Sequence, residues 1–223
     1  MMIEKLNRAE ILRYLGYRDS GVTEPIERLL SRCEKETLEI IQPKYIYRRF
    51  EIERCPEGIR VSGTPLVLEG KDIQEHLKNC REIFLLGVTA GMELDKRIRR
   101  YMVTEPDAGV VMDSCGIQAV EQIADLAEKE LEQAAAAEGC HLTWRFSPGY
   151  GDLPLETQRE LVRVLDTHRK IGVSLTESCL MVPGKSVTAI LGISDTKWDH
   201  RENKCDFCNH RERCTFRKRG TRC

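Results

Sequence analysis

The sequence has few of the features that mark membrane, secreted or nucleic-acid-binding proteins. No apolar run approaches the roughly 18 residues that suggest a membrane-spanning helix. The opening residues, MMIEKLNRAE, contain no apolar segment of the kind found in secretory signals. Basic residues (35) and acidic residues (36) nearly balance, so the net charge of −1 gives no whole-chain argument for binding nucleic acid or membranes. These absences predict a cytoplasmic protein without a membrane partner.

The composition predicts a folded globular protein with reduced cysteines. Hydrophobic residues make up 41% of the 223 residues, which is enough to bury a substantial core. Because disulfides are rare in the cytosol, we expect most of the ten cysteines to be free thiols. Six are scattered singly and are expected to act as small buried hydrophobic side chains: Cys33, Cys55, Cys80, Cys115, Cys140 and Cys179.

Helical and strand patterns are mixed along the chain, and the sequence shows no internal repeat or low-complexity linker. Helical spacing predicts helices in TEPIERLLSRCEKETLEIIQ, in MELDKRIRRYMV and over a long stretch that ends at Gly139. Strand patterns include KYIYRRFEIER and REIFLLGVTAG. We therefore expect an α+β domain over residues 1–198, followed by a cysteine-rich tail at residues 199–223. Alternation in the last strand predicts one apolar face, formed by Val187, Ala189, Leu191 and Ile193.

The stretch RFSPGYGDLP, residues 145–154, joins a predicted strand to a predicted helix. Its glycines match the start of the dinucleotide fingerprint G-x-G-x-x-G, but Pro154 takes the place of the third glycine. A simple turn, with Asp152 capping the helix and Pro154 in its first turn, explains the second half. It does not explain why Arg145 and Tyr150 bracket the corner. Those two residues favour a ligand-binding corner over a phosphate loop.

Two longer sequence elements, one of which contains this corner, narrow the choice of ligand. RFSPGYGDLPLETQ and the later IGVSLTESCLMVPGKSVTAILGIS resemble, in the same order, the activation domain of cobalamin-dependent methionine synthase. The motifs R-x-x-P-G-Y and L-T-E-S-x-x-M-x-P-G-x-S-V stand at Arg145–Tyr150 and Leu175–Val187. The resemblance covers about residues 110–198 and is loose over the part of the chain before them.

The resemblance implies a twisted antiparallel sheet flanked by helices, with a shallow groove that binds S-adenosylmethionine. It also implies a reactivation role, in which an electron and the methyl group of S-adenosylmethionine convert cob(II)alamin to methylcobalamin. The cobalamin would be held by a partner, either methionine synthase or another corrinoid protein. Flavodoxin or another donor would supply the electron. Such a chain contributes positioning and charge complementarity, and we expect no catalytic acid, base or nucleophile in it.

The same resemblance implies roles for individual residues. Arg145 is expected to bind the ligand carboxylate through two parallel hydrogen bonds. The backbone around Ser147 and Gly149 would contact the adenine, with Tyr150 beside it. Glu121, which borders the apolar face of its helix, would bind the ammonium group or the ribose hydroxyls.

Some features depart from the family pattern or from the complete enzyme. Trp198 stands where the family has a tyrosine that closes the site, and an indole cannot copy a phenol. An acidic ligand from the amino-terminal part of the family's domain has no identifiable counterpart here. The sequence also lacks the D-x-H-x-x-G element that holds cobalamin and has no room for the barrels that bind homocysteine and folate. We therefore predict a component of a methyltransferase system and not a complete methionine synthase.

The tail has a separate cysteine cluster with the spacing C-x2-C-x5-C-x8-C. Two thiolates in a C-x-x-C pair can reach one ion, and four sulfurs complete a zinc site or hold an iron–sulfur cluster. The candidate ligands are Cys205, Cys208, Cys214 and Cys223, with His210 as a replacement for Cys223. The alternative is a reduced, metal-free tail.

The charge of the tail is compatible with several partners. From Arg201 onward, eight Lys or Arg residues and three Asp or Glu residues give a net charge of +5. That charge suits an acidic partner such as a flavodoxin better than nucleic acid, since only Phe207 and Phe216 are aromatic there. Two further functions stay open: a reductive activator of another corrinoid methyltransferase that uses a tail iron–sulfur cluster, and a zinc-bearing binding module.

Overall fold

The computed structural model describes residues 3–17 and 21–197 of the chain. The helices are α1 (Arg8–Tyr14), α2 (Glu24–Ile40), α3 (Lys71–His76), α4 (Met92–Thr104), α5 (Pro106–Ala137), α6 (Thr157–Leu165) and α7 (Thr167–Ile171). The strands are β1 (Lys44–Cys55), β2 (Gly58–Val61), β3 (Val67–Leu68), β4 (Cys80–Thr89), β5 (His141–Leu142), β6 (Ser174–Leu175), β7 (Met181–Val182) and β8 (Ser186–Ser194).

The strands form a six-stranded sheet in the order β3-β2-β1-β4-β8-β5 and a separate two-stranded sheet of β6 and β7. In the antiparallel pairs, Ile52 of β1 lies opposite Val61 of β2, and Leu142 of β5 lies opposite Ile193 of β8. The mixture of helices with an antiparallel sheet confirms the predicted α+β class. The predicted boundary between domain and tail, at residues 198 and 199, falls outside the described residues and stays a prediction.

The chain divides into two compact units. Of the described residues, those within 1–46, 87–128 and 167–187 form unit 1, and those within 47–86, 129–166 and 188–197 form unit 2. The fully buried side chains of unit 1 include Ile11, Leu30, Leu94, Met112 and Ile123. Those of unit 2 include Ile59, Leu68, Ile83, Leu85 and Leu191. Each unit therefore has an apolar core of its own.

Within unit 1, the turn before β8 is fixed by carboxylates. Asp95 of α4 accepts hydrogen bonds from the backbone N–H groups of Gly184 (2.5 Å) and Lys185 (3.3 Å). The ammonium of Lys185 pairs with Asp113 of α5 at 2.7 Å. A Cβ at Gly116 would lie 3.1 Å from the stem of Lys185, so a glycine gives that side chain room to cross the helix. The sequence element MVPGKSV is thereby anchored to α4 and α5.

Two local predictions differ from the structure. The last strand, β8, is buried on both faces, with only Val187 half-buried, whereas its alternation predicted one apolar face. A strand inside a sheet can be apolar on both sides, and the Thr188 hydroxyl is satisfied there by donating to Gln158 Oε1 at 3.0 Å. The single helix predicted after residue 153 is two, α6 and α7, because Asp166 adopts a left-handed conformation with φ of 52°.

The scattered cysteines are only partly as predicted. Cys33, Cys80, Cys115 and Cys179 are buried, while Cys55 and Cys140 are half-buried. Burial raises the pKa of Cys80 and of Cys115 to about 12, so these thiols are protonated and unreactive at neutral pH. Among the described residues, no helix is both long and apolar enough to span a bilayer.

Gly192 of β8 occupies a position where no side chain fits. A Cβ there would lie 2.4 Å from Sγ of Cys80 and 2.7 Å from Cδ2 of Leu77. Because an overpacked core forces its neighbours to shift, Gly192→Ala is expected to lower the free energy of unfolding by about 2 kcal/mol. Urea denaturation measures the change. Gly21→Ala is the control, since nothing lies within 4 Å of a Cβ there. Unchanged stability in Gly192→Ala would contradict the packing described for β8.

Candidate functional site

The candidate ligand segment, residues 144–152, follows β5 in unit 2. Its first part pairs with β8 through two hydrogen bonds. Phe146 N–H donates to the Ile190 carbonyl at 3.0 Å, and Ile190 N–H donates to the Phe146 carbonyl at 2.8 Å. Trp144 and Phe146 are both buried, and their ring centroids lie 5.3 Å apart. Arg145, between them, is half-buried. Because alternate side chains of an extended chain point to opposite sides, we expect Arg145 to point away from these two rings.

The second part of the segment is a tight turn. Tyr150 N–H donates to the Ser147 carbonyl at 3.0 Å, and Gly149 N–H donates to the Leu153 carbonyl at 2.9 Å. Gly149 has a φ of +88°, which favours glycine, and a Cβ there would meet only a methyl group of Leu155 at 3.5 Å. The backbone at Gly149 is therefore exposed and open to the approach of a flat ring.

Asp152 caps a different helix from the one the sequence predicted. Its carboxylate accepts hydrogen bonds from the backbone N–H groups of Lys71 (2.7 Å) and Asp72 (3.0 Å) at the start of α3. The helix α6 begins only at Thr157, and its N-cap residue, Glu156, makes no side-chain capping bond. Gly151 belongs to the same contact, since a Cβ there would lie 2.3 Å from Oδ2 of Asp72. This half of the turn is packed against α3.

A buried histidine lies behind the segment. His76, the last residue of α3, has its ring 4.5 Å from that of Trp144 and 5.1 Å from that of Phe146. Its Nε2 lies 2.8 Å from Oγ1 of Thr143, and the Thr143 hydroxyl in turn donates to the Trp144 carbonyl at 3.3 Å. Burial lowers the pKa of His76 to about 4, so the imidazole is neutral at physiological pH.

The structure places four of the predicted ligand residues on one segment of unit 2: Arg145, Ser147, Gly149 and Tyr150. Nη1 of Arg145 is buried from solvent. Ser147 is half-buried, and Tyr150 is 54% exposed with its ring 6.1 Å from that of Phe146. A guanidinium, an open glycine backbone and an exposed phenol are therefore brought together within a few residues.

Glu121 lies in unit 1, on α5, and is half-buried. Burial raises the pKa of Tyr14 on α1, and the negative charge of Glu121 acts in the same direction. Glu121 is thus within electrostatic reach of Tyr14. The other predicted residues, Trp198 and the four tail cysteines, lie outside the described part of the chain. Within the described part, no group of three or more His, Cys, Asp or Glu residues is arranged to hold a metal ion.

A cavity of about 390 Å³ in unit 1 contains none of the predicted ligand residues. It is lined by the end of α2 and by Glu93, Lys96, Arg97 and Arg100 of α4. Its charges are largely compensated, since Lys96 pairs with Glu93 at 2.7 Å and Arg97 pairs with Glu36. We therefore place the candidate site at residues 144–152 and not in this cavity.

Comparison with known proteins bears on this segment directly. Residues 118–200 match the family described as vitamin B12 dependent methionine synthase, activation domain. The resemblance predicted from the sequence is confirmed. No curated protein matches the chain significantly.

A solved structure extends the similarity to the fold. A crystal structure of the MetH reactivation domain bound to AdoHcy matches with a TM-score of 0.59 and 17% sequence identity. The match covers 83% of this chain and 70% of the other. At that identity the match establishes the fold, and it includes more of the chain than the family match does.

The neutral His76 makes the folded state sensitive to acid. Its pKa is 6.5 when unperturbed and about 4 in the fold, so between these values the unfolded chain binds a proton that the folded chain does not. The stabilisation is complete above pH 6.5 and is lost as the pH falls towards 4. Lowering the pH from 8 to 5 is therefore expected to reduce the free energy of unfolding by about 2 kcal/mol through His76. Urea denaturation of wild type and His76→Gln at both pH values measures the difference. Identical pH dependence would contradict the burial of His76.

Proposed function

We propose that this chain binds S-adenosylmethionine and serves as a reactivation module for cobalamin-dependent methionine synthase. In this role it supports the reductive methylation of cob(II)alamin held by a partner protein. The observation that carries the proposal is the family match over residues 118–200, which spans every predicted ligand residue from Glu121 to Trp198. The related reactivation domain of known structure was solved with AdoHcy, the demethylated form of the same ligand.

The residues of the candidate segment fit this ligand. A carboxylate needs a cationic donor that is shielded from water, and Arg145 supplies a guanidinium with Nη1 buried. An adenine ring needs a backbone that it can approach closely, and the space beside Gly149 is open up to Leu155. The exposed phenol of Tyr150 adds a ring and a hydroxyl. Donor chemistry and access both suit S-adenosylmethionine.

The role proposed for this chain is to bind and orient. When bound, S-adenosylmethionine supplies an activated methyl group for transfer to the partner's reduced cobalt. Arg145 fixes the carboxylate end of the ligand, and the backbone of Ser147 and Gly149 receives the adenine. Glu121 is proposed, on the family resemblance, to bind the ammonium group or the ribose hydroxyls, and Trp198 to close the site. None of these groups has to exchange a proton with the ligand.

The partner is proposed to be a cobalamin-binding methionine synthase or another corrinoid protein of the cytoplasm. An electron is needed for each methylation of cob(II)alamin, and flavodoxin or another donor is proposed to supply it. The chain is then one component of a methyltransferase system.

Arg145→Ala is expected to weaken binding of S-adenosylmethionine by roughly 30-fold, because a charge-assisted pair of hydrogen bonds contributes roughly 2 kcal/mol. Glu121→Ala is expected to weaken it by about tenfold. Isothermal titration calorimetry of each variant beside the wild type measures both effects.

Arg163→Ala is the matched control, because it removes the same charge from an exposed side chain of unit 2 that pairs only with Glu160 among the contacts described. Its affinity should equal that of the wild type. Absence of binding by the wild type would refute the proposed function. Wild-type affinity in both Arg145→Ala and Glu121→Ala would refute the assignment of the site.

The cysteine tail favours an additional function. We propose that Cys205, Cys208, Cys214 and Cys223 bind zinc or an iron–sulfur cluster, on the basis of their spacing in the sequence. A cluster would make the chain a reductive activator that carries the electron itself and serves another corrinoid methyltransferase. Zinc would indicate a docking module.

Protein purified without oxygen is expected to contain about one zinc ion or one cluster per chain, and Cys205→Ser with Cys208→Ser to contain none. Elemental analysis together with visible absorption identifies the metal. Cys140→Ser, at a half-buried position outside the tail, should retain the full metal content. Wild-type protein without zinc, iron or visible absorption would contradict metal binding by the tail.

A further inference from the structure

We propose that His76 is a positioning residue for Arg145. The inference rests on the proposed function, because it assigns the ligand carboxylate to Arg145. It concerns a side chain that no sequence motif indicated, at the end of a short helix about seventy residues before the ligand segment. The relevant contacts all lie within unit 2.

His76 contacts the side chains on both sides of Arg145. Its ring packs against Trp144 and Phe146, at centroid distances of 4.5 and 5.1 Å. These are the residues immediately before and after Arg145. Both are buried, so neither can move aside without opening the core. Fixing the two flanking side chains on one side of the extended chain sets the direction in which Arg145 leaves it.

Hydrogen bonds through Thr143 connect His76 to the main chain as well. His76 Nε2 lies 2.8 Å from Thr143 Oγ1, and that hydroxyl accepts a hydrogen bond of 2.8 Å from Gly192 N–H. The Thr143 hydroxyl also donates a hydrogen bond of 3.3 Å to the Trp144 carbonyl. The histidine therefore fixes the position of the peptide that leads directly into Arg145, relative to β8.

The opposite end of α3 also contacts the ligand segment. Backbone N–H groups of Lys71 and Asp72 bind the carboxylate of Asp152, at 2.7 and 3.0 Å. The same short helix thus contacts the ligand segment at Trp144 through its last residue and at Asp152 through its first. Both ends of the segment are held by one rigid element, which is how a binding loop keeps its geometry in the absence of ligand.

A purely structural role would require only a ring of similar size. A phenylalanine in place of His76 would fill the volume but could not form a hydrogen bond with Thr143. A glutamine lacks the ring but places an amide near the position of Nε2. The two substitutions therefore separate packing from hydrogen bonding.

The test is calorimetric titration with S-adenosylmethionine of wild type, His76→Phe and His76→Gln, each with and without Arg145→Ala. We expect His76→Phe to weaken binding roughly tenfold and His76→Gln to remain within about threefold of wild type. In the His76→Phe background, Arg145→Ala should lower the affinity for S-adenosylmethionine only a few-fold. The reason is that a misdirected guanidinium already contributes little to binding. Ile59→Ala, at another fully buried site of unit 2, is the control for destabilisation without loss of positioning.

The outcomes distinguish this inference from the function on which it rests. No binding by the wild type overturns the proposed function. If the wild type binds, two results overturn the positioning role alone. One is an unchanged affinity in His76→Phe. The other is a loss of affinity from Arg145→Ala that is as large in the His76→Phe background as in the wild type. If His76→Phe does not fold, Thr143→Val removes the hydroxyl that His76 contacts while keeping the side-chain shape. That variant is then expected to weaken binding several-fold, and unchanged affinity in it would overturn the inference.

Discussion

The hydroxyl of Thr143 is the contact on which the candidate site depends. It lies 2.8 Å from His76 Nε2 and accepts a hydrogen bond from Gly192 N–H, so it joins α3, β8 and the chain that enters the ligand segment. Thr143 can approach the backbone of β8 this closely only because residue 192 is a glycine. A Cβ there would lie 3.1 Å from Cγ2 of Thr143 and closer still to Cys80. Buried polar groups with complete hydrogen bonding specify one arrangement of their neighbours. Here those neighbours include the residues on either side of Arg145.

The two sequence elements that carry the family resemblance have different physical roles in the fold. The first, Arg145–Tyr150, presents a guanidinium and an open glycine backbone. The second, around Gly184 and Lys185, is bound to Asp95 and Asp113 of unit 1 and forms the turn into β8. The contacts of Gly184 and Lys185 are two backbone hydrogen bonds and one ion pair, all within the protein. This part of the shared motif therefore has a structural role.

Periodicity and turn residues predicted the α+β class and the long helix that ends before Gly139, because those signals are local. The roles of Asp152 and His76 could not be predicted in the same way. Asp152 caps a helix that lies 81 residues away along the chain, although it stands before a helix of its own. His76 is a lone histidine in QEHLKNC, and only the fold brings it against Trp144 and Phe146. Long-range contacts of this kind leave no spacing pattern in one sequence.

The central claim is that Arg145 anchors S-adenosylmethionine to the segment 144–152. A crystal structure of the full chain grown with S-adenosylhomocysteine tests it most directly. The account predicts that the ligand carboxylate accepts paired hydrogen bonds from the Arg145 guanidinium and that the adenine lies against the backbone of Ser147 and Gly149. A ligand bound elsewhere, such as in the cavity between α2 and α4 of unit 1, would contradict it.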